Sequence, residues 1–182
     1  MKDLAMHIMD IIQNSLSAEA SLVQIDIEEN IADNKFEITI KDNGKGMDLE
    51  MLKNVTDPYC TSRTTRKVGL GIPLIKQNAE LTGGFVNLTS EVGLGTTFTA
   101  LFSHSHIDRP PLGDIAGTIV LTASANPKVE FIYTHSKDGN SYCFDTREIK
   151  AVLDDVPISN LEMIKYLREM IEENLKDIHV KN

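Results

Sequence analysis

Asp10 and Asn14 stand in HIMDIIQNSLSAEA, a stretch with Leu4, Ile8, Ile11, Ile12 and Leu16 at helical spacing. With His7 they fall at i, i+3 and i+7, so all three share a different face of one amphipathic helix. At 42–46 the run DNGKG puts the carboxylate of Asp42 at the end of an alternating segment, followed by Gly44 and Gly46. An Asn-Gly pair after a strand ordinarily makes a hairpin turn, but here a helical pattern follows Gly46 where a hairpin needs a strand. A carboxylate fixed at a strand end accepts a hydrogen bond from the exocyclic amine of adenine, which guanine does not offer at that position. Glycines beside it let the backbone approach a purine and take positive φ without strain.

Gly69, Leu70 and Gly71 open a second helical pattern, where backbone N–H groups and the helix dipole both favour phosphate. Arg63, Arg66 and Lys67 precede them in a segment without periodicity, read as a mobile loop. A solvated charge cluster and a set of phosphate contacts weigh about equally for these three. GLGTTF at 93–98 supplies Gly95, Thr96 and Thr97 after another glycine turn. Neither common nucleotide-binding loop is present: Leu74 stands where a dinucleotide fingerprint needs its third glycine, and no Gly-x-x-x-x-Gly-Lys-Ser/Thr occurs.

The elements that must carry these residues follow from periodicity. An opening helix at 3–20 precedes two alternating strands, LVQIDIEE and KFEITIKD, expected as an antiparallel hairpin. A short helix (DLEMLKNV), the loop, a helix ending at Gly83 and Gly84, and strands FVNLTSE and TTFTALF come next. The proline- and glycine-bearing stretch HSHIDRPPLGD reads as a linker at 104–113, dividing a domain at 1–103 from an α/β appendage at 114–182. In the appendage GTIVLTAS, KVEFIYTH and SYCFD read as strands. TREIKAVL reads as a short helix capped by Asp145 and Glu148, and a last helix at about 160–177 as capped by Ser159 and Glu162. The stripe Leu161, Ile164, Leu167, Ile171, Leu175 and Ile178 on that helix seeks cover, from the chain's own sheet, a second copy or a partner.

A net charge of −9 and a pI near 5.0 argue against a broad nucleic-acid footprint. No apolar run reaches the roughly 18 residues of a membrane helix, and the amino terminus does not read as a signal peptide, so a cytoplasmic protein is expected. Cys60 and Cys143 fit neither a metal-site spacing nor a disulfide framework.

Taken in order, the four segments resemble the N, G1, G2 and G3 boxes of the ATPase superfamily of gyrase, the heat-shock chaperone, histidine kinases and the MutL mismatch-repair protein. The match covers residues 7–102: DIIQNSLSAEA resembles the N box, DNGKG the G1 box, GLGIPLIK the histidine-kinase G2 box and GLGTTFTALF the G3 box. DPYCTSR is similar to the phenylalanine-containing box of histidine kinases, with tyrosine in place of phenylalanine. The resemblance implies an α+β, two-layer α/β sandwich of the Bergerat type, with a mixed, mostly antiparallel sheet covered by helices on one face.

It further implies ATP and Mg²⁺ as cofactors, with Asn14 as metal ligand through its neutral carbonyl oxygen. Asp42 is implied to read adenine, with Gly44, Gly46, Gly95 and the hydroxyl of Thr96 or Thr97 beside it. Gly69, Leu70 and Gly71 would hold phosphate. Asp10 is implied as the group that holds a water or hydroxyl near the γ-phosphate; hydrolysing members often have glutamate there. With six residues before His7, no acceptor histidine precedes the N box, and autophosphorylation in cis is not expected. The function expected is a protein kinase or slow ATPase working on or with a protein partner, as the anti-sigma serine kinases do, and possible as a homodimer. The alternative is a non-catalytic, ATP-dependent binding module, and a gyrase-type clamp is disfavoured because about 70 residues after the linker are too few for its transducer domain.

Overall fold

The computed structural model describes residues 2–56 and 71–180. Alternation of apolar and polar residues builds β1 (Leu22–Asn30) and β2 (Lys35–Asp42), which pair antiparallel with Ile25 opposite Ile40 and Ile27 opposite Ile38. β4 (Gly95–Ser103) adds to the other side of β2, and β3 (Phe85–Glu91) to β4, both antiparallel. β5 (Glu130–Lys137) lies parallel to β1, and β6 (Asn140–Asp145) pairs antiparallel with β5. The result is one mixed six-stranded sheet in the order β3-β4-β2-β1-β5-β6.

One sheet face is apolar. Val23, Ile25, Ile38, Phe98, Phe102, Phe131 and Tyr133 all lie on it and are buried in a single core. Residues of the other parity, such as Asp26, Glu28, Lys41, Asn87 and Thr89, are exposed. The cover comes from α1 (Leu4–Ser17), α3 (Gly71–Leu81) and α4 (Ile115–Ala125), which contribute Leu4, Ile8, Ile12, Ile75, Ile119 and Val120 to the same core. Short helices α2 (Leu49–Thr56) and α5 (Thr146–Leu153) lie beside it. α6 (Leu161–Asp177) buries Leu167, Ile171 and Leu175, mainly against α4 and also against β6. The expected stripe therefore finds its cover within the chain, although Leu161 itself stays exposed. Among the described residues no helix is long and apolar enough to cross a membrane.

Three local expectations are corrected. GTIVLTAS is helical, within α4: Asp114 caps it by accepting from the Gly117 N–H at 2.9 Å, and nearly every side is buried. A short apolar run covered all round has no period by which helix and strand separate. The cap of α6 is Asn160, which accepts from the Glu162 and Met163 N–H groups, rather than Ser159. The side chain of Asp145 caps α5 as expected, but Arg147 rather than Glu148 answers it.

The division expected at 104–113 does not interrupt the sheet, since β5 hydrogen-bonds directly to β1. The stretch is pinned at both ends. The His104 N–H donates to the Asn34 carbonyl, and the Leu4 and Ala5 N–H groups donate to the Pro111 and Leu112 carbonyls at 2.9 Å each. Those two donors belong to the first turn of α1, whose N–H groups have no intrahelical partner.

A buried polar hub sits at the β1 end remote from Asp42. Glu29, 4% exposed, accepts from His135 (2.9 Å) and His104 (2.8 Å), with Lys137 at 3.6 Å. His135 Nδ1 in turn meets the Tyr133 hydroxyl at 2.7 Å. Burial alone would raise the Glu29 pKa, but the two imidazole hydrogen bonds and the Lys137 charge bring it down to about 2.

Candidate functional site

Asp42 ends β2 on the covered face and is 7% exposed. Its Oδ2 accepts from the Ser15 hydroxyl at 2.6 Å, and its Oδ1 accepts from the Gly44 N–H at 2.9 Å. The carboxylate is thereby aimed from α1 and from its own turn at once. That turn is stapled: Asn43 Oδ1 accepts from the Ser21 and Leu22 N–H groups, Lys45 N–H donates to the Ala18 carbonyl, and Gly93 N–H donates to the Lys45 carbonyl. Gly46 has φ +67° and lies so close to the Glu91 carbonyl that a Cβ would collide with it, so glycine is required on two counts. Gly44 is packed on Ala18, whose carbonyl oxygen a Cβ would approach to 2.7 Å.

Asp42 opens onto a cavity of about 260 Å³. Asn14, Ser15 and Thr96 share its polar side, while Ile11, Ile40, Met47, Val55, Ile72, Leu88 and Phe98 make apolar walls. Thr96 lies opposite Asp42 in the β2–β4 register. Its hydroxyl is 2.9 Å from that of Ser90, which accepts from the Met47 N–H (2.8 Å) and donates to the Gly95 carbonyl (3.0 Å). Gly95 starts β4 against the Asp42 main chain. Thr97 pairs with Lys41 and Thr89, on the opposite sheet face, and does not line the cavity.

Asn14 is exposed on α1 and lines the cavity. Asp10, one turn earlier, is half-buried and packs on the first residue of α3: a Cβ on Gly71 would collide with Asp10 Oδ2. The amino end of α3 and the Asp10 carboxylate are thus neighbours. Arg63, Arg66, Lys67, Gly69 and Leu70 lie outside the described residues.

Sequence reasoning missed Ser15 and Ser90. Ser15 follows Asn14 directly, and its role needs the 27-residue separation to Asp42 to be closed by the fold. His7, which the sequence puts on the helix face of Asp10 and Asn14, is 1% exposed and sits 3.2 Å from the Asn78 amide on α3, a partner that the sequence does not mark. Burial, assisted by the positive chain terminus, lowers its pKa below 6.5 against the opposing pull of Asp10, Asp3 and the Gly71 backbone.

Among similar proteins, a sensor histidine kinase of Bacillus subtilis (YvrG) is 32% identical over 84 residues, covering 44% of this chain and 14% of its own. The signal transduction histidine-protein kinase AtoS of Escherichia coli is 30% identical over 95 residues, 52% of this chain and 16% of its own. The chain therefore spans well under a fifth of these relatives' length. In structure, the Aquifex aeolicus MutL ATPase domain complexed with ADP superposes with a TM-score of 0.52 at 15% identity, covering 93% of this chain and 70% of that one. The N-terminal domain of a DNA repair protein gives 0.58 at 14% identity, covering 79% and 52%. These two likenesses establish the shared fold. The sequence model of the histidine kinase-, DNA gyrase B- and HSP90-like ATPases matches residues 2–106, more than half the chain and all four segments of the site, and the protein belongs to that family.

Proposed function

We propose that the protein binds Mg-ATP in the cavity between α1 and the sheet and uses it as a protein kinase or slow ATPase acting on or with a partner protein. The observation that supports this most is the buried Asp42 carboxylate, held by Ser15 and Gly44 at the wall of an apolar cavity. A planar base with one exocyclic donor suits that arrangement. Among the described residues no group of three His, Cys, Asp or Glu side chains could hold a metal alone. Asn14, with a neutral oxygen at the cavity edge, suits Mg²⁺ that keeps waters and shares phosphate oxygens. ATP, when bound, supplies the γ-phosphoryl group to be transferred or hydrolysed, and Mg²⁺ offsets its charge. Asp10 beside the α3 amino end would accept the proton of the attacking hydroxyl or water. Residues 114–182 brace this site through β5, and the stretch before them braces it through the Pro111 and Leu112 carbonyls that receive the first N–H groups of α1.

The test is calorimetry with ATP, GTP and adenosine, with and without Mg²⁺. Magnesium-dependent ATP binding with GTP rejected by tenfold or more supports the reading; equal affinities for ATP and GTP defeat it. The second reading, a binding module without turnover, is favoured by aspartate in place of the longer glutamate at position 10. Turnover measured with the physiological partner present separates the two.

A further inference from the structure

Among the described residues, one buried side-chain polar atom lacks a hydrogen-bond partner: Nδ1 of His7. The Asn78 amide nitrogen can only donate, so His7 Nε2 accepts from it and the ring proton belongs on Nδ1. Nδ1 makes no hydrogen bond, although the Gly71 backbone is near enough to act on the ring. An orphaned buried donor is unfavourable, and a phenylalanine would fill the same space without one. Packing alone therefore does not account for a histidine here.

His7 and Asp10 sit on one face of α1, and each touches α3: Asp10 at Gly71, His7 at Asn78. Those two points on α3 are seven residues, or about 10 Å, apart along the helix. Two separated attachments add a polar lock near each end of the α1–α3 contact, beside the apolar packing of Ile72, Ile75 and Ala79 that seats α3 on the sheet. We propose that His7 is a positioning residue of the nucleotide site: through Asn78 it fixes α3 on α1, so that the amino end of α3 meets a bound triphosphate in line with Asp10 and Asn14. The inference rests on the Mg-ATP reading above. The adenine end does not depend on it, because Asp42 is held by Ser15 and Gly44 instead.

The test compares Mg-ATP with adenosine, which lacks phosphates, by calorimetry on the full chain. His7→Phe and Asn78→Ala should each weaken Mg-ATP by about tenfold, the scale of one lost hydrogen bond at a buried site, and leave adenosine within about twofold. His7→Gln, whose amide offers both an acceptor and a donor, should stay within about threefold of wild type for both ligands. Nitrogen-15 NMR of the wild-type imidazole should show the Nδ1-protonated tautomer, and Asn78→Ala should abolish that preference. Unchanged Mg-ATP affinity in His7→Phe, equal losses for ATP and adenosine, or an Nε2-protonated ring overturns the proposal. If His7→Phe does not fold, Asn78→Ala, at a partly exposed helical position, decides by the same criteria. A wild type that binds adenosine but not Mg-ATP refutes the positioning role while sparing the adenine pocket; one that binds neither refutes the reading of the site as a whole.

Discussion

Replacing Asp42 by asparagine tests the base-recognition site with little disturbance to the fold. In wild type each carboxylate oxygen already accepts one hydrogen bond, from Ser15 at 2.6 Å and from the Gly44 N–H at 2.9 Å. The Gly44 N–H selects the amide oxygen of the asparagine, which leaves the NH₂ group toward Ser15. The serine hydroxyl can turn its proton to the Ile11 carbonyl, 3.4 Å away, and accept from that NH₂. Apo stability should therefore fall by about 1 kcal/mol, a drop of roughly 2–4 °C in melting temperature for a chain of this size. Adenine recognition has no such compensation, because the negative acceptor at Oδ2 has become a donor. Losing one charge-assisted hydrogen bond and stranding a polar group weakens ATP binding by roughly 2–4 kcal/mol, about 30- to 1,000-fold. Calorimetry and a thermal melt on the same preparation measure both quantities. A folded Asp42→Asn protein with wild-type ATP affinity refutes the assignment.

Ser15→Ala removes one of the two groups that aim Asp42, and should weaken ATP binding by about three- to tenfold at a stability loss near 1 kcal/mol, read by the same pair of assays. Asn14→Ala should abolish the magnesium dependence of ATP binding, whereas Asp10→Asn should keep binding and lower any turnover by roughly 10²- to 10⁴-fold; equal turnover in wild type and Asp10→Asn removes Asp10 from the chemistry. The Glu29 pKa of about 2, against an ordinary 4.5, means the folded state holds this carboxylate ionised more readily than the unfolded chain does. Its contribution is fully present above pH 4.5 and drains away as pH falls from 4.5 toward 2, so chemical denaturation of Glu29→Gln should show a flatter acid limb than wild type. An acid limb unchanged by the substitution contradicts the hub's role. Ile171→Ala, at a fully buried position of the α6 stripe, should destabilise by about 2–5 kcal/mol; a loss under 1 kcal/mol would mean that α6 docks only loosely on α4.

The parts of this molecule legible in the sequence are those whose signal is local. The β1–β2 alternation, the glycines around Asp42 and the helical spacing of Asp10 and Asn14 each lie within one short window, and the structure puts Asp42, Gly46, Asn14 and Thr96 around one cavity. What stayed hidden depends on separation. Ser15 meets Asp42 across 27 residues and His7 meets Asn78 across 71, and a lone serine or histidine on a helix has no periodicity to mark its partner. β5 joins β1 in parallel through a crossover, a pairing that no turn chemistry announces, which is why 114–182 reads as an appendage in the sequence. α4 reads as a strand in the sequence because its capping aspartate, Asp114, falls within the proline- and glycine-rich stretch that reads as a linker.

The parallel pairing of β5 with β1 also governs where the chain can be cut. The family match ends at residue 106, yet a fragment ending there would lose β5 and leave β1, still paired with β2 on one side, as an open edge on the other from Leu22 to Glu29. Such an edge, with Val23, Ile25 and Ile27 on the buried face and no covering strand, is an open template for pairing with other chains. Glu29 would keep His104 but lose His135 and Lys137. What looks like a complete nucleotide-binding unit by homology is, in hydrogen-bonding terms, half of a zipper, and its missing teeth lie beyond the matched region.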